Sequence, residues 1–230
     1  MAPAHRRAGL AGDYEPHTCY DWLDTQKKTL AASERDEGRR CGFRLQILQH
    51  AASQFVIIDE SGYNLNLAPR YARAPRGARA HAKVPRNVPA NTTVIAALTT
   101  HGMSATMLVE GATDHHVVEA YIEQLLVPTL RAGQVVVLDN LSAHKRAAIE
   151  PMLAAVGCQL WFLPPYSPDL APIELAFAKI KQAVRRAAAR TSAALESAIA
   201  HALTTISAND AQGFFAHCGF LTDPPSAQLT

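Results

Sequence analysis

Two short apolar runs give the clearest structural signal along the chain, because each lacks polar residues and ends in an aspartate. The runs are Phe55–Asp59 and Val135–Asp139. A continuous apolar run of this length is typical of a strand that is covered on both faces, whereas a strand with one wet face alternates apolar and polar residues. Both segments are therefore predicted to be central strands, and each aspartate is expected where the buried sheet opens to solvent.

The remaining pattern predicts an alternation of helices and strands. Three further strands, of which the first two form a hairpin, are predicted at Thr92–Thr100, Ala105–Glu110 and Gln159–Leu163. Helices are predicted from a cap at Thr113 or Asp114 to about Leu130, and over Lys145–Val156, Pro172–Arg190, Ser192–Ile206 and Asn209–His217. A β-meander followed by alternating helices and strands indicates an α/β fold with a five-stranded mixed sheet flanked by helices.

The predicted helix that begins at Pro172 adds a third carboxylate, Glu174. Its apolar stripe, which includes Ile173 and Phe177, leaves Glu174 one residue, or about 100°, from the buried face. Glu174 can therefore lean toward the sheet, and Lys181 and Arg185 follow on the same polar side. Two interpretations stay open for this face, a surface stripe of ion pairs and a metal ligand flanked by phosphate contacts. A single acid at a strand end is usually a solvated cap or turn former, so only the combination of three suggests a site.

Basic residues are concentrated in two tracts, although the net charge is only +2 at pH 7. No acidic residue occurs from Ser61 to Val109 or from Leu175 to Leu195. The basic residues of interest in these tracts are Arg70, Arg73, Arg76, Arg79, Lys83 and Arg86, and then Lys179, Lys181, Arg185, Arg186 and Arg190. A charge run is usually a solvated face, but each tract directly follows one of the three acids, which favours a track for a phosphate backbone. Tyr71 lies among the arginines, either as a packed tyrosine or as a stacking partner for a base.

Composition limits the class of protein. With 230 residues and 48% hydrophobic content, the chain can bury one substantial core. Its four cysteines are too widely spaced for a CxxC zinc clip and too few for a disulfide scaffold, so reduced thiols are expected. The start has no apolar signal region, and no stretch approaches the length of a membrane span. The expected compartment is therefore the cytoplasm, and no membrane partner is expected.

Three blocks of the sequence resemble the signature blocks of a known family. They are FVIIDESGYNLNLAPRYARAPRG, VVVLDNLSAHK and LPPYSPDLAPIE, in this order. In sequence and spacing they resemble the DDE transposases of the mariner-like superfamily, in the bacterial branch of the insertion sequence 630 type. The resemblance implies a ribonuclease H-like fold. It also matches Asp59, Asp139 and Glu174, with 34 residues between the second and the third, to the three catalytic acids of the family.

The resemblance implies that the protein cuts and joins DNA strands with two divalent cations, Mg²⁺ or Mn²⁺. Two cations roughly 3.5–4 Å apart activate the nucleophile and neutralise the leaving oxygen, and such hard ions prefer oxygen ligands. By resemblance, Asp59 is expected to bridge both ions while Asp139 and Glu174 hold one each, so the three acids should converge on a common centre. His144 matches a family histidine and could touch the scissile phosphate, although a surface histidine at a helix start is an equal alternative. The implied partners are double-stranded DNA, as transposon ends and a TA target, and a second copy of the chain in a homodimer.

Two departures from the family pattern concern the N-terminus and residue 171. The family places a helix-turn-helix region before the block that starts at Lys27, whereas this chain has 26 residues there. We therefore expect residues 1–50 to be a short remnant or linker, residues 51–220 to be the catalytic domain and residues 221–230 to be a tail, in a truncated transposase. The second departure is Ala171, the expected N-cap of the Glu174 helix, where the family's asparagine would supply a side-chain acceptor.

Two other classes of function stay open on the sequence alone. One is a catalytically idle transposase remnant, or a co-opted protein that binds DNA or partners without cutting. The other is a nuclease or ribonuclease H that acts only by hydrolysis. The intact acids disfavour long neutral drift, and the LPPYSPDLAPIE block favours transposition over simple hydrolysis.

Overall fold

A computed structural model describes residues 32–69, 71–86, 90–139 and 143–221, and these residues form a five-stranded sheet in the order β3-β2-β1-β4-β5. The strands are β1 (Phe55–Tyr63), β2 (Thr92–Thr99), β3 (Gly102–Glu110), β4 (Val135–Leu138) and β5 (Gln159–Phe162). Strand β1 pairs antiparallel with β2 and parallel with β4. The sheet is therefore mixed, as predicted.

Six α-helices occur within the described residues and flank this sheet. They are α1 (Glu37–Ile47), α2 (His115–Tyr121), α3 (Ala143–Ala155), α4 (Pro172–Ala187), α5 (Ser192–Thr204) and α6 (Ala208–His217). Helix α2 continues as a π-helical turn at Ile122–Leu126 and a 3₁₀ turn at Val127–Thr129, so the predicted helix has the expected extent but is α-helical only in its first part. No helix of the described ranges is long and apolar enough to cross a membrane.

Strand β1 is buried on both faces, which confirms the prediction from its unbroken apolar run. Phe55 and Ile57 belong to a core formed with α1, α4, α5 and α6. Val56 and Ile58 belong to a second core formed with α2 and α3. Because side chains alternate along a strand, Asp59 follows Ile57 toward the side of the sheet that α4 covers.

Helix α4 buries the predicted stripe and begins where it was expected. Ile173, Phe177, Ile180 and Val184 are all buried, and Ala171 is the N-cap without a side-chain hydrogen bond. The helix ends at Ala187, three residues before the predicted end, because Ala188 adopts the left-handed conformation with φ 49°. This conformation interrupts the helical hydrogen-bond pattern.

Helix α1 lies within residues 1–50, which were predicted to be a short remnant or linker and for which no helix bounds were predicted. Asp36 caps it by accepting a hydrogen bond from the backbone N–H of Arg39. Phe43 and Ile47 are buried in the same core as α4. The two apolar anchors are spaced at i, i+4, and the arginines and glycines around them obscure this pattern in the sequence.

Strand β3 begins at Gly102 and not at Ala105 as predicted. Its pairing register with β2 shifts between Ile95 and Ala97, and Ala105 has a positive φ of 42°. This irregularity breaks the period of two on which the prediction depended. Gly102 has φ 121°, and a Cβ atom there would lie 2.9 Å from the carbonyl oxygen of Ile206, so the turn is close to the segment between α5 and α6.

Candidate active site

The carboxyl end of β4 and the middle of β1, at Ile58 and Asp59, open into a cleft of about 330 Å³. Strand β1 continues past its predicted end at Asp59 to Tyr63, because its last residues still pair with β2. The two strands run parallel with Phe55 opposite Val135 and Ile57 opposite Val137, and continuing this register two residues further brings Asp59 level with Asp139. Asp139 directly follows β4 and is exposed. The parallel pairing of two apolar runs is therefore what places the two aspartates at one edge of the sheet.

Glu174 reaches the same cleft from α4. It is the third residue of the helix, and its side chain is exposed although Pro172 and Ile173 before it are buried. Helix α4 packs against β1, so the first turn of the helix lies over the sheet edge that carries Asp59. Asp59, Asp139 and Glu174 all line the cleft, and the structure thus brings together the three acids singled out in the sequence.

Asp59 has the most perturbed ionisation in the cleft. Burial is the largest cause, and together with the negative charges of Glu174, Asp139 and Glu60 it raises the pKa of Asp59 from 3.8 to about 7. The backbone N–H of Glu60 donates a hydrogen bond to Asp59 Oδ1 at 2.8 Å, which opposes part of this shift. The three acids therefore interact electrostatically, and a bound cation would favour the ionised form of Asp59.

The chemistry of the donor set fits a hard divalent cation, since three carboxylates from three elements offer only oxygen ligands. As placed, however, no three His, Cys, Asp or Glu side chains within the described ranges form a group that could hold a metal ion. The three acids share one cleft, but they do not converge on a common centre, although the sequence analysis predicted that they would. The negative charges of the three carboxylates repel one another, which opposes such convergence. A cation bound between them would attract all three and so favour convergence.

The segment that connects β5 with α4 forms the opposite wall of the cleft. Pro165, Tyr166, Ser167 and Pro168 all contribute to this wall. The buried Ser167 hydroxyl donates a hydrogen bond to the carbonyl oxygen of Pro165 at 3.1 Å. Tyr166 has a left-handed backbone with φ 54°, and its side chain is 57% exposed. A non-glycine residue in this region costs roughly 1–2 kcal/mol, so the surrounding contacts must hold Tyr166 at the cleft.

Asp169 fastens this wall to α1. The side chain of Arg40 is fully buried, and its Nη1 and Nη2 donate hydrogen bonds to Asp169 Oδ1 and Oδ2 at 2.9 and 2.6 Å. Arg35 and Arg44 add weaker contacts to Asp169 Oδ2 at 3.5 and 3.9 Å. The hydrogen bond from Arg40 is the largest cause that holds the pKa of Asp169 below its usual range. This bidentate pair links the first helix to the segment that ends at Glu174.

Arg40, Tyr166 and Asp169 are site residues that the sequence analysis missed. Tyr166 and Asp169 lie within the LPPYSPDLAPIE block, so the motif drew attention to the segment without indicating their roles. No local sequence pattern indicated a role for Arg40, because its carboxylate partner is 129 residues away along the chain.

Those predicted DNA contacts whose side chains the structure describes do not line the acid cleft. Arg73, Arg76, Arg79, Lys83 and Arg86 are all exposed in the irregular segment between β1 and β2. Lys181 Nζ is 5.9 Å from the ring centroid of Tyr63, and Arg185 lines a second pocket beside Tyr71. Arg70 and the side chain of His144 fall outside the described residues, so their predicted roles stay predictions.

A family model supports the relation suggested by the cleft. The model is described as DDE superfamily endonuclease and matches residues 54–196, a range that contains Asp59, Asp139 and Glu174. A comparison with curated proteins finds no match to the chain.

Solved structures of the Mos1 mariner transposase have the same fold. The pre-cleavage Mos1 transpososome superposes with a TM-score of 0.67 at 14% identity, covering 86% of this chain and 65% of that chain. The Mos1 paired-end complex with Mn gives 0.62 at 14% identity, covering 86% of this chain and 64% of that chain. The Mos1 catalytic domain alone gives 0.53 at 13% identity, covering 88% of this chain and 100% of that domain. The chain thus spans about two thirds of the length of the transposase in these DNA complexes.

The superposition confirms the predicted ribonuclease H-like fold, in which a five-stranded mixed sheet is flanked by helices. The family model covers more than half of the 230 residues and includes the whole of the sheet. This chain belongs to the DDE superfamily of endonucleases.

Proposed function

We propose that this chain is the catalytic part of a transposase, of the insertion sequence 630 type, that cuts and joins DNA strands with Mg²⁺ or Mn²⁺. The observation that supports the proposal best is the cleft itself. Three acids from β1, the end of β4 and α4 line it, and Asp59 is buried enough among them for its pKa to rise to about 7. A carboxylate held in this way favours a bound cation as its counter-charge.

Asp59, Asp139 and Glu174 would hold two cations, with Asp59 between them. When bound, the cations would activate the attacking hydroxyl and neutralise charge on the leaving oxygen of the scissile phosphate. Asp59 lies in the central strand and is therefore held rigidly, whereas the side chains of Asp139 and Glu174 are exposed. Pro165, Tyr166, Ser167 and Pro168 line the same cleft and would lie beside the bound substrate.

The proposed substrate is double-stranded DNA, as transposon ends and a TA target, bound by a dimer of the chain. The exposed arginines between β1 and β2 support this choice of substrate. Arg73, Arg76 and Arg79 have no ion-pair partner among the described residues, so their charge can neutralise phosphates.

A cleavage assay tests the catalytic assignment. We expect the purified chain to nick or cut a labelled duplex that carries a candidate transposon end when Mg²⁺ or Mn²⁺ is added, and Asp139→Asn to reduce cleavage to background. Glu123→Gln is the matched control, because it makes the same chemical change at an exposed carboxylate on the α2 side of the sheet. Equal cleavage by Asp139→Asn and the control would contradict the assignment.

A strand-transfer assay separates the proposal from its alternatives. The chain is supplied with a pre-cut end that has a free 3′-hydroxyl and with a target duplex rich in TA steps. Joined products support a transposase, hydrolysis without joining supports a simple nuclease, and binding without either reaction supports an idle or co-opted protein. Thermal unfolding with and without Mn²⁺ measures cation binding independently of activity. A ligand present at a hundred times its Kd stabilises the folded protein by about 2.7 kcal/mol.

A further inference from the structure

A second pocket, of about 320 Å³, lies between the start of the β1–β2 segment and the last turns of α4. We call it the Tyr71 pocket, and it is lined by Pro69, Tyr71, Gln182, Arg185 and Arg186. We infer that the Tyr71 pocket binds one unpaired nucleotide of the DNA strand that enters the acid cleft. This inference rests on the proposed function, because it takes DNA as the substrate.

The ring of Tyr71 favours stacking on a base over a role in the core. Its side chain is 91% exposed, so the alternative of a packed tyrosine is wrong. Exposed aromatic rings beside cationic groups are the common element of sites that bind single-stranded nucleic acid, because every base has a face that can stack. Pro69 gives a second apolar surface within the same pocket.

Arg185 and Arg186 supply charge for a phosphate. Neither guanidinium has a hydrogen-bond or ion-pair partner within the part of the chain that the structure describes. An arginine fork can donate two parallel hydrogen bonds to phosphate oxygens. Gln182 carries both a donor and an acceptor, and it can therefore bind the edge of a base.

Arg190 anchors the backbone that leads into the segment carrying Tyr71. Its Nη1 donates hydrogen bonds to the carbonyl oxygens of Leu65 and Leu67 at 3.3 and 3.4 Å, and to that of Ala189 at 2.9 Å. These contacts fix the start of the β1–β2 segment beside the end of α4. Such an anchor reduces the entropy that is lost when a ligand binds.

The Tyr71 pocket is aligned with the acid cleft along α4. Arg185 follows Glu174 by eleven residues, which corresponds to about 16 Å along the helix axis and returns to nearly the same helix face. Lys181 lies between them on this face. A distance of about 16 Å equals roughly five nucleotide steps at the rise of about 3.4 Å per step in duplex DNA. One strand can therefore pass from the cleft over Lys181 to the pocket.

An unpaired nucleotide fits the pocket better than a base pair does. Inside a duplex both faces of each base are covered by its neighbours, so Tyr71 could stack on an internal base only after that base has left the helix. Tyr71 and the two arginines line one pocket of about 320 Å³. The exposed arginines from Arg73 to Arg86 remain the contacts expected for duplex backbone.

The test compares affinities for a blunt duplex and for the same duplex with a single-stranded extension, measured by fluorescence anisotropy without divalent cations. We expect the extension to bind more tightly to the full chain. Tyr71→Ala should lower affinity for the extended duplex roughly five- to hundredfold, while Tyr71→Phe retains it. Arg185→Ala combined with Arg186→Ala should also remove the preference. Arg131→Ala is the matched control, because this exposed arginine lines a groove near the opposite ends of β1 and β4.

A scan with the fluorescent base 2-aminopurine locates the nucleotide. Quenching should be strongest about five steps from the scissile phosphate and should disappear in Tyr71→Ala. The inference is overturned if the wild-type chain has no preference for the extension, if Tyr71→Ala keeps the preference, or if an RNA extension binds better than DNA.

Failure of this inference can be told apart from failure of the proposed function, because the binding assay needs no cation and no cleavage. Asp139→Asn should keep the preference for the extension. A preference that depends on Tyr71 in a chain that never cuts DNA would contradict the proposed function alone, whereas cutting without such a preference would contradict only the inference.

Discussion

Asp59 is the acid whose ionisation the fold opposes most. Its folded pKa of about 7 lies above its ordinary value of 3.8, so the folded protein retains a proton that the unfolded chain releases. The contribution of Asp59 to stability is therefore complete below about pH 4 and is lost as pH rises toward 7. Above pH 7 the ionised carboxylate of Asp59 destabilises the folded protein unless a cation binds to it.

Asp59→Asn should therefore stabilise the protein more at pH 8 than at pH 5. We expect the difference in the free energy of unfolding to be on the order of 2 kcal/mol, because one pKa unit corresponds to about 1.4 kcal/mol. Urea unfolding in the presence of a chelator measures this at both pH values, with Glu123→Gln as the control. The same gain at both pH values would show that burial of charge at Asp59 is not the cause.

The N-cap of α4 is an element-scale feature that lies three residues before Glu174. Ala171 has the extended backbone of a cap but offers no side-chain acceptor to the first turn of the helix. Ala171→Asn should raise the free energy of unfolding by roughly 0.5–2 kcal/mol. The new side chain can extend into the cleft, which Ala171 lines. Ala171→Val adds similar bulk without an acceptor, so a gain for asparagine alone in thermal unfolding would identify capping as the cause.

The loss of stability on breaking the ion pair between Arg40 and Asp169 should depend on which of the two residues is replaced. Asp169→Asn leaves the fully buried Arg40 with only Glu37 as a carboxylate partner, and we expect a loss of about 1–3 kcal/mol. Arg40→Met should cost less, because the half-exposed Asp169 stays hydrated and near Arg35 and Arg44. Glu37→Gln, which removes an exposed partner, should change stability by less than about 1 kcal/mol. Chemical unfolding of the three variants measures the order, and an equal loss for Asp169→Asn and Arg40→Met would contradict it.

Strand β1 and helices α4 and α1 show which parts of the fold could be predicted from the sequence. The apolar run of β1 and the stripe of α4 are local patterns, and their parallel and packed partners bring Asp59, Asp139 and Glu174 to one cleft. The docking of α1 depends on Arg40, whose partner is far along the chain. No local pattern encodes such a pair.

At the scale of the whole molecule, charge is divided between an acidic cleft and basic surfaces. Arginines reach phosphates, which are alike in every sequence, so the segment between β1 and β2 is expected to bind duplex DNA with little sequence preference. Binding should weaken steeply as salt rises, because counterions are released when the protein binds.

Replacing Arg73, Arg76 and Arg79 together by alanine should weaken binding to all duplexes alike. The slope of log affinity against log salt should become shallower by about 0.9 for each phosphate that the variant no longer neutralises. Binding to candidate end and scrambled duplexes, each at two or more salt concentrations, measures both quantities. Arg131→Ala controls for the removal of positive charge alone, and a selective loss of affinity for one sequence would indicate base recognition.

Trp161 lies where α1, β1 and β5 meet, and this position gives the molecule an optical reporter. Its ring packs edge-on against Phe43, His50 and Phe55 at centroid distances of 6.4, 5.2 and 5.8 Å. In a Trp22→Phe background, Trp161 is the single remaining tryptophan. A red shift of its emission without loss of far-ultraviolet circular dichroism would then reveal α1 leaving the sheet, so that undocking of this helix can be followed in real time while DNA binds.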